Sequence, residues 1–160
     1  MGDYPPEILI KPEDDPNRQL AIGFLQHFAV DDRRLKVLPV AGGWLKAVDW
    51  LRETGKDRLK RRPNRQIVVM IDGDGDADRF AKATEDVPET LRDRVFVIGC
   101  RREPEQLKRE VGGSYEQIGT RLANGCHDKE YKLWRQALPS TAAETLERLQ
   151  STLRPLIIRQ

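Results

Sequence analysis

One continuous apolar run constrains the fold of this chain more than any other feature. Residues 66–72 read QIVVMID, with apolar side chains at every position from Ile67 to Ile71. Strands that are apolar without alternation are covered on both faces, as in parallel sheets that carry helices on each side. The run therefore predicts the central strand of an α/β sheet.

Strand and helix patterns alternate along the first two thirds of the chain. Apolar runs predict further strands at residues 7–10, 34–40 and 93–100. Apolar residues at helical spacing predict helices at residues 15–30, 44–53 and 103–111, and a short helix around residues 79–83. The polar stretch TGKDRLKRRPNR, residues 54–65, predicts a surface loop. From residue 114 the pattern is helical almost to the C-terminus. The chain is therefore predicted to form a Rossmann-like α/β sheet of about four mainly parallel strands, flanked by helices and followed by a helical C-terminal segment.

Length and composition limit the partners and the location that we expect. The 160 residues are enough for one domain with a sizeable core, and residues 1–160 are predicted to form a single domain. The net charge of +2 does not by itself require nucleic acid or an anionic membrane as a partner. The chain has no apolar window of about 18 residues, so no membrane partner is expected. The start MGDYPPEILI lacks the apolar run of a signal peptide, and two cysteines fit free thiols in a cytoplasmic protein.

Four aspartates follow the central strand at every second position, Asp72, Asp74, Asp76 and Asp78. In parallel α/β sheets, ligands bind at the carboxyl ends of the strands. Mg²⁺ prefers carboxylate oxygens together with water and phosphate oxygens. The simpler interpretation of DGDGD is a solvated Asp-Gly turn. The position after the most apolar strand favours a metal or phosphate site, with Mg²⁺ or Mn²⁺ as the expected cofactor.

The order of the motifs resembles a known domain. KVLPVAGG contains a strand and a glycine turn, VVMIDGDGD a strand and an Asp-x-Asp, and VFVIGCRREPEQL a strand and an acidic segment. Together they resemble the TOPRIM domain of topoisomerases, bacterial primases and the overcoming-lysogenization-defect nucleases, and the nuclease branch is nearest in pattern. The resemblance covers a core of about residues 7–110 and leaves about 111–160 as a helical C-terminal extension. It implies a TOPRIM-like protein that acts on nucleic acid.

The resemblance also implies a set of metal ligands. Asp72 and Asp74 match the Asp-x-Asp positions and would hold Mg²⁺ or Mn²⁺, assisted by Asp76 or Asp15. A metal in that position polarises a phosphodiester and stabilises the leaving oxygen. These four aspartates are therefore the predicted metal-binding residues.

The acid/base residue depends on how the first strand is aligned. TOPRIM proteins usually have Glu-Gly-x-x-Asp after this strand, where the present chain reads ILIKPEDD. The simplest alignment places Lys11 at the glutamate and Asp15 at the aspartate, and a lysine there would contact a phosphate instead of a metal. In an alignment shifted by two residues, Glu13 replaces the glutamate, and a shift of two preserves side-chain direction in an extended segment. Glu13 and Asp72 are then the predicted catalytic residues.

Basic residues are candidates for phosphate contacts. Arg61 and Arg62 belong to the run RLKRRPNR, and Arg101 and Arg102 follow the fourth predicted strand. Lysine and arginine clusters neutralise phosphates in nucleic-acid complexes, and Lys11 would join them in the first alignment. The alternative is a solvated basic loop and a surface pair after a strand. No aromatic residue is interleaved in the run, so base stacking there is not expected.

Three functions are consistent with the sequence. The first is Mg²⁺-dependent hydrolysis of phosphodiester bonds by a TOPRIM-like nuclease. The second is a non-catalytic TOPRIM-related subunit that binds or assembles with a partner protein or a second copy, which Lys11 favours. The third is a haloacid-dehalogenase-like phosphatase, a family that also has Asp-x-Asp after a strand. The third lacks the expected Thr or Val, because Asp76 occupies that position.

Overall fold

A computed structural model describes residues 5–73, 78–99, 104–139, 141 and 143–159. Its four strands are β1 (Glu7–Pro12), β2 (Leu35–Val37), β3 (Arg65–Met70) and β4 (Val95–Ile98). They form one parallel sheet in the order β2-β1-β3-β4. The predicted α/β sheet is thus confirmed, and β3 is one of its two central strands.

Helices connect and cover the strands. The first half of the chain forms α1 (Asp15–Leu25), α2 (Trp44–Trp50), α3 (Lys56–Arg61), α4 (Asp78–Glu85) and α5 (Glu89–Arg92). The second half forms α6 (Pro104–Val111), α7 (Tyr115–Asp128), α8 (Lys132–Ala137), α9 (Ala143–Arg148) and α10 (Arg154–Ile157). A short 3₁₀ turn, Asp32–Arg34, precedes β2, and π-helical turns join α2 to α3 (Leu51–Gly55) and α9 to α10 (Leu149–Leu153). Among the described residues, no helix combines the length and the apolarity that a membrane span requires.

The sheet separates two apolar clusters, which explains why β3 is apolar at consecutive positions. Val68 and Met70 belong to the cluster that contains residues of α1, α7 and the C-terminal helices. Ile67 and Val69 belong to the cluster that contains residues of α2, α3 and α4. Successive side chains of a strand point to opposite faces, so both faces of β3 need apolar residues. The C-terminal helices therefore pack on the sheet and form part of its core.

The segment that joins α2 to β3 is helical where the sequence predicted a loop. The helical path runs from α2 through the π turn to the end of α3 at Arg61, and only residues 62–64 connect it to β3. Leu51, Gly55 and Leu59 are buried and lie four residues apart, so they line one face of the helix. A methyl group at Gly55 would lie 3.0 Å from Trp50 and 3.2 Å from Ile67. The loop prediction for residues 54–65 was wrong because it weighed composition over this spacing.

Arg94 ties the end of α3 to the start of the sheet. Its Nη1 donates to the main-chain oxygens of Arg62, Pro63 and Arg65 at 2.9, 3.0 and 3.3 Å. Its Nη2 donates to the Leu59 oxygen at 2.8 Å. The last carbonyls of a helix have no partner inside the helix, and Arg94 binds that of Leu59 in α3 and that of the C-cap residue Arg62.

Replacing Arg94 by Met should lower the free energy of unfolding by about 2–3 kcal/mol, because partly buried carbonyls lose a charged donor. Urea denaturation followed by circular dichroism would measure the change. Arg61→Met is the matched control, since Arg61 is exposed at the end of the same helix. We expect the control to change stability by less than about 0.5 kcal/mol. Equal effects of the two substitutions would contradict the role given to Arg94.

Candidate functional site

The loops after β1 and β3 leave the sheet side by side. The two strands are adjacent and parallel, and Pro12 is paired with Met70 at their carboxyl ends. The Glu13 amide donates to the Met70 oxygen at 2.8 Å, so the pairing continues one residue beyond β1. Glu13 after β1 and Asp72 after β3 consequently meet at the edge where parallel α/β sheets bind ligands.

Three carboxylates converge at this edge and are called the carboxylate cluster below: Glu13, Asp14 and Asp72. Each offers an oxygen, and these oxygens all lie within 4.8 Å of one another. The Asp72 amide donates to Oε2 of Glu13 at 2.6 Å, which links the two loops directly. Glu13 is 8% and Asp72 6% exposed, so these carboxylates are largely removed from bulk water.

Asn17 holds the two aspartates of the cluster from the first turn of α1. Its Nδ2 donates to Asp14 Oδ1 at 2.9 Å and to Asp72 Oδ1 at 3.1 Å. Its amide donates to the same Asp14 oxygen at 3.1 Å, so Asp14 is the N-cap of α1. The Asn17 side chain is 0% exposed, and its Oδ1 has no hydrogen-bond partner among the described residues.

Burial and neighbouring charge change the acidity of Asp72. Loss of solvent is the main cause that raises the pKa of Asp72 to about 8, and the nearby carboxylates of Asp14 and Glu13 raise it further. The hydrogen bond from Asn17 acts in the opposite direction. At neutral pH the cluster therefore keeps a proton when no cation is bound, and a cation would have to displace that proton.

The glycine turn after β2 fixes the main chain of Glu13. The amides of Gly42 and Gly43 donate to the Glu13 oxygen at 2.8 and 3.3 Å, and Ala41 donates to the Pro12 oxygen at 2.9 Å. Gly42 and Gly43 have φ angles of 92° and 143°, which residues with a side chain rarely adopt. The AGG segment after β2 thus passes the end of β1, and its amides fix the main chain of Pro12 and Glu13.

Lys11 is directed to other partners than the carboxylates. Its Nζ donates to the Pro39 oxygen at 2.7 Å and lies 5.2 Å from the centroid of the Trp50 ring. Lys11 is 7% exposed, and burial, followed by the charge of Arg58, lowers its pKa. Of the two alignments drawn from the sequence, the geometry places the carboxylate of Glu13 beside Asp72.

The other predicted site residues are spread over the molecule. Asp15 is exposed and its carboxylate accepts hydrogen bonds from Arg18 at 2.8 Å and Gln19 at 2.6 Å, outside the cluster. Arg61 ends α3 and Arg62 follows it, shortly before the start of β3, and Arg62 donates to Glu7 at 3.3 Å. Strands rise about 3.3 Å per residue, so the starting end of β3 is roughly 20 Å from Asp72. Four predicted residues lie outside the part of the chain that the structure describes: Asp74, Asp76, Arg101 and Arg102.

Asp14 and Asn17 were not predicted as site residues. Asp14 followed by Pro16 and Asn17 has the pattern of a helix N-terminus, an acidic cap before a proline in the first turn. The predicted helix of residues 15–30 begins at the correct residue, Asp15, but α1 ends five residues earlier than predicted, at Leu25. The pattern did not show that the cap also faces Asp72, because the two residues are joined only by the pairing of β1 with β3.

An apolar cavity lies in the apolar cluster that contains Val68 and Met70. It has a volume of about 80 Å³ and lies between the sheet and the C-terminal helices, with Ile10, Leu122 and Trp134 in its lining. Among the described residues, the one charged side chain in its lining is Arg154, whose guanidinium donates to the main-chain oxygens of Cys126 and His127. The carboxylate cluster does not contribute to the lining of this cavity.

Comparison with models of known families, with curated proteins and with solved structures found no match to this chain.

Proposed function

We propose that this chain is a TOPRIM-like protein that acts on nucleic acid and hydrolyses phosphodiester bonds with Mg²⁺ or Mn²⁺ bound at the carboxylate cluster. One observation carries the proposal: three carboxylates from the ends of two adjacent parallel strands meet within 4.8 Å. Magnesium sites in proteins commonly use one or two carboxylates, with water and substrate oxygens as the other ligands. The cluster meets that requirement without Asp74 or Asp76.

The amide of Asn17 supports a ligand in the cluster. A buried polar atom without a partner costs free energy, and Oδ1 of Asn17 is such an atom among the described residues. The same side chain already bonds Asp14 and Asp72 through Nδ2. Rotation of the amide by 180° would present its oxygen to a cation held by these aspartates.

The residues of the cluster have distinct roles in this proposal. Asp72 and Asp14 would hold the cation together with the oxygen of the rotated Asn17 amide, whereas Nδ2 of Asn17 bonds both carboxylates when no cation is bound. Glu13 is the acid/base residue, and its orientation is set by the hydrogen bond from the Asp72 amide. A bound divalent cation would stabilise the negative charge that develops on the phosphodiester oxygens.

Replacing Glu13 by Gln should reduce metal-dependent cleavage at least about 100-fold, since loss of an acid/base group typically has an effect of this size. The assay uses single-stranded and duplex DNA and RNA with Mg²⁺ or Mn²⁺, and EDTA as the metal-free condition. Glu116→Gln is the control, because Glu116 is an exposed glutamate in the first turn of α7. If the wild type cuts none of these substrates with either metal, the proposed hydrolysis is wrong.

A non-catalytic subunit is the second candidate, and the bonding inside the cluster favours it. Asp14 caps α1, and Glu13 accepts the Asp72 amide, so both carboxylates also serve the fold. With the pKa of Asp72 raised to about 8, the cluster can persist without a cation as a joint between the two loops. If millimolar Mg²⁺ or Mn²⁺ leaves the melting temperature unchanged, this alternative is preferred. The phosphatase-like alternative has no observation of its own in its favour.

A further inference from the structure

Two exposed apolar side chains border the carboxylate cluster on the side of the glycine turn. Leu45 is 61% and Val40 40% exposed, and they flank Gly42 and Gly43. The amides of this turn bind the main-chain oxygen of Glu13, so the segment that carries both side chains is attached to a residue of the cluster. Large apolar side chains in such exposed positions lose favourable burial, and grouped ones often mark a binding surface.

Two cations lie at the same glycine turn and at the start of α2. Lys46 folds back over the turn, so that a methyl group at Gly42 would lie 3.5 Å from its Cδ and 3.7 Å from its Nζ. Arg79 donates to the main-chain oxygen of Asp72 at 3.4 Å, and its guanidinium lies 4.9 Å from the centroid of the Trp44 ring. Each cation is thereby attached to a segment that carries or contacts a residue of the cluster.

We propose that the surface formed by Val40, Trp44, Leu45, Lys46 and Arg79 binds an unpaired nucleotide of a single-stranded nucleic acid. A base packs on Leu45 and Val40, and its phosphate lies between Lys46 and Arg79. This inference rests on the proposed function, because it names the substrate that would be presented to the same cluster. We call these five residues the nucleotide surface.

The combination of apolar and basic groups favours a single strand over a duplex. In a duplex the faces of the bases are covered by neighbouring bases, and the protein meets mainly phosphates. An unpaired base exposes an apolar face that packs on aromatic or aliphatic side chains, and such contacts tolerate any base. Exposed Leu45 and Val40 on a segment that also carries Lys46 and contacts Arg79 through Trp44 match a base with an attached phosphate. A duplex would use the cations alone.

Leu45→Ser should weaken binding of a 12-nucleotide single strand about tenfold and leave binding of a hairpin duplex unchanged. Fluorescence anisotropy with labelled DNA or RNA, in EDTA and again in Ca²⁺, measures both affinities without cleavage. Lys46→Gln should weaken binding of both and reduce the slope of log affinity against log salt by about 1. Phe28→Ser is the matched control: Phe28 is 77% exposed. It lies beyond the far end of α1, an 11-residue helix that spans roughly 16 Å.

Several results would overturn the inference. These are equal affinity for single strand and duplex, an unchanged affinity of Leu45→Ser, or an equal loss in Phe28→Ser. Sedimentation at the same concentrations tests the other occupant of an apolar surface, since a dimer that dissociates in Leu45→Ser would assign the surface to a second copy. If metal raises the melting temperature but no nucleic acid binds, the nucleotide surface is wrong and the cation site stands. If a single strand binds through Leu45 and no metal binds, the nucleotide surface stands and the cation site is wrong.

Discussion

Replacing Asp72 by Asn is expected to abolish stabilisation by Mg²⁺ and to make the cation-free protein more stable at pH 8. The wild type should gain about 2.7 kcal/mol when Mg²⁺ is present at 100 times its dissociation constant. The variant should gain nothing, because it lacks a carboxylate of the cluster. Denaturant unfolding with and without Mg²⁺ measures both free energies.

The pH dependence of this effect follows from the pKa of Asp72, about 8 in the folded protein against an ordinary value of 3.8. Between these values the folded state keeps a proton that the unfolded chain releases, so the free energy of unfolding falls as pH rises. Below pH 4 both states are protonated, and above pH 8 both are ionised. At about 1.4 kcal/mol per pH unit, the stability lost across this window is at most about 6 kcal/mol.

The amide introduced by Asp72→Asn would mimic the protonated carboxyl and remove this dependence. Its oxygen can accept from Asn17 and its nitrogen can donate to Asp14, the same two neighbours that Asp72 has. The difference in stability between variant and wild type should therefore grow from pH 4 to pH 8. Since the proton competes with the cation, the apparent affinity of the wild type for Mg²⁺ should rise about tenfold per pH unit up to pH 8.

Asp15→Asn is the control for the same measurements, since Asp15 is bonded to Arg18 and Gln19 outside the cluster. It should leave the Mg²⁺ response and the alkaline stability unchanged. An Asp72→Asn variant that keeps the full Mg²⁺ response would contradict the cation site. A stability difference that does not vary with pH would contradict the buried, protonated Asp72.

The second large effect is expected at the crossing of α1 and α7, where Gly23→Ala or Gly119→Ala should destabilise the fold by about 3–5 kcal/mol. A Cβ at Gly23 would lie 2.0 Å from the main-chain oxygen of Glu116, and one at Gly119 would lie 2.0 Å from that of Leu20. These contacts are to backbone, so relief requires the helices to separate. Thr120 also donates to the Gly23 oxygen at 2.8 Å and would lose that bond.

Thermal and urea unfolding of the alanine variants measure this effect. Glu116→Ala is the matched control, because it changes the exposed side chain of a residue whose backbone forms the crossing. The control should change stability by no more than about 1 kcal/mol. A change of that small size in Gly23→Ala would show that the helices can move apart at little cost, contrary to the close packing described here.

Sequence patterns predicted the sheet because its signals are local. The unbroken run from Ile67 to Ile71 requires cover on both faces, and the alternation of strand and helix patterns predicts parallel strands. The helical path from α2 to Arg61 was missed because Leu59 is the one apolar residue within a charged stretch. Its burial comes from packing under the sheet, which a composition count does not detect.

The candidate site was predictable only in part for a related reason. Asp72 follows from its place after a buried strand, and Glu13 followed only as the second of two alignments. Asn17 could not be inferred, because its contact with Asp72 spans 55 positions and exists only through the pairing of β1 with β3. Lys11 stood at the position that the simplest alignment gave to the glutamate, yet its side chain is directed to Pro39 and Trp50.

The crossing of α1 and α7 also has a consequence for synthesis of the protein. Ribosomes deliver the chain from its N-terminus, so β1, β3 and α1 emerge well before Tyr115, where α7 begins. Until then the apolar face formed by Ile8, Leu20 and Met70 has no α7 to cover it. Contacts between residues this far apart in sequence form slowly because of the entropy of closing the loop. We expect nascent chains that end before α7 to be retained by chaperones that bind exposed apolar segments.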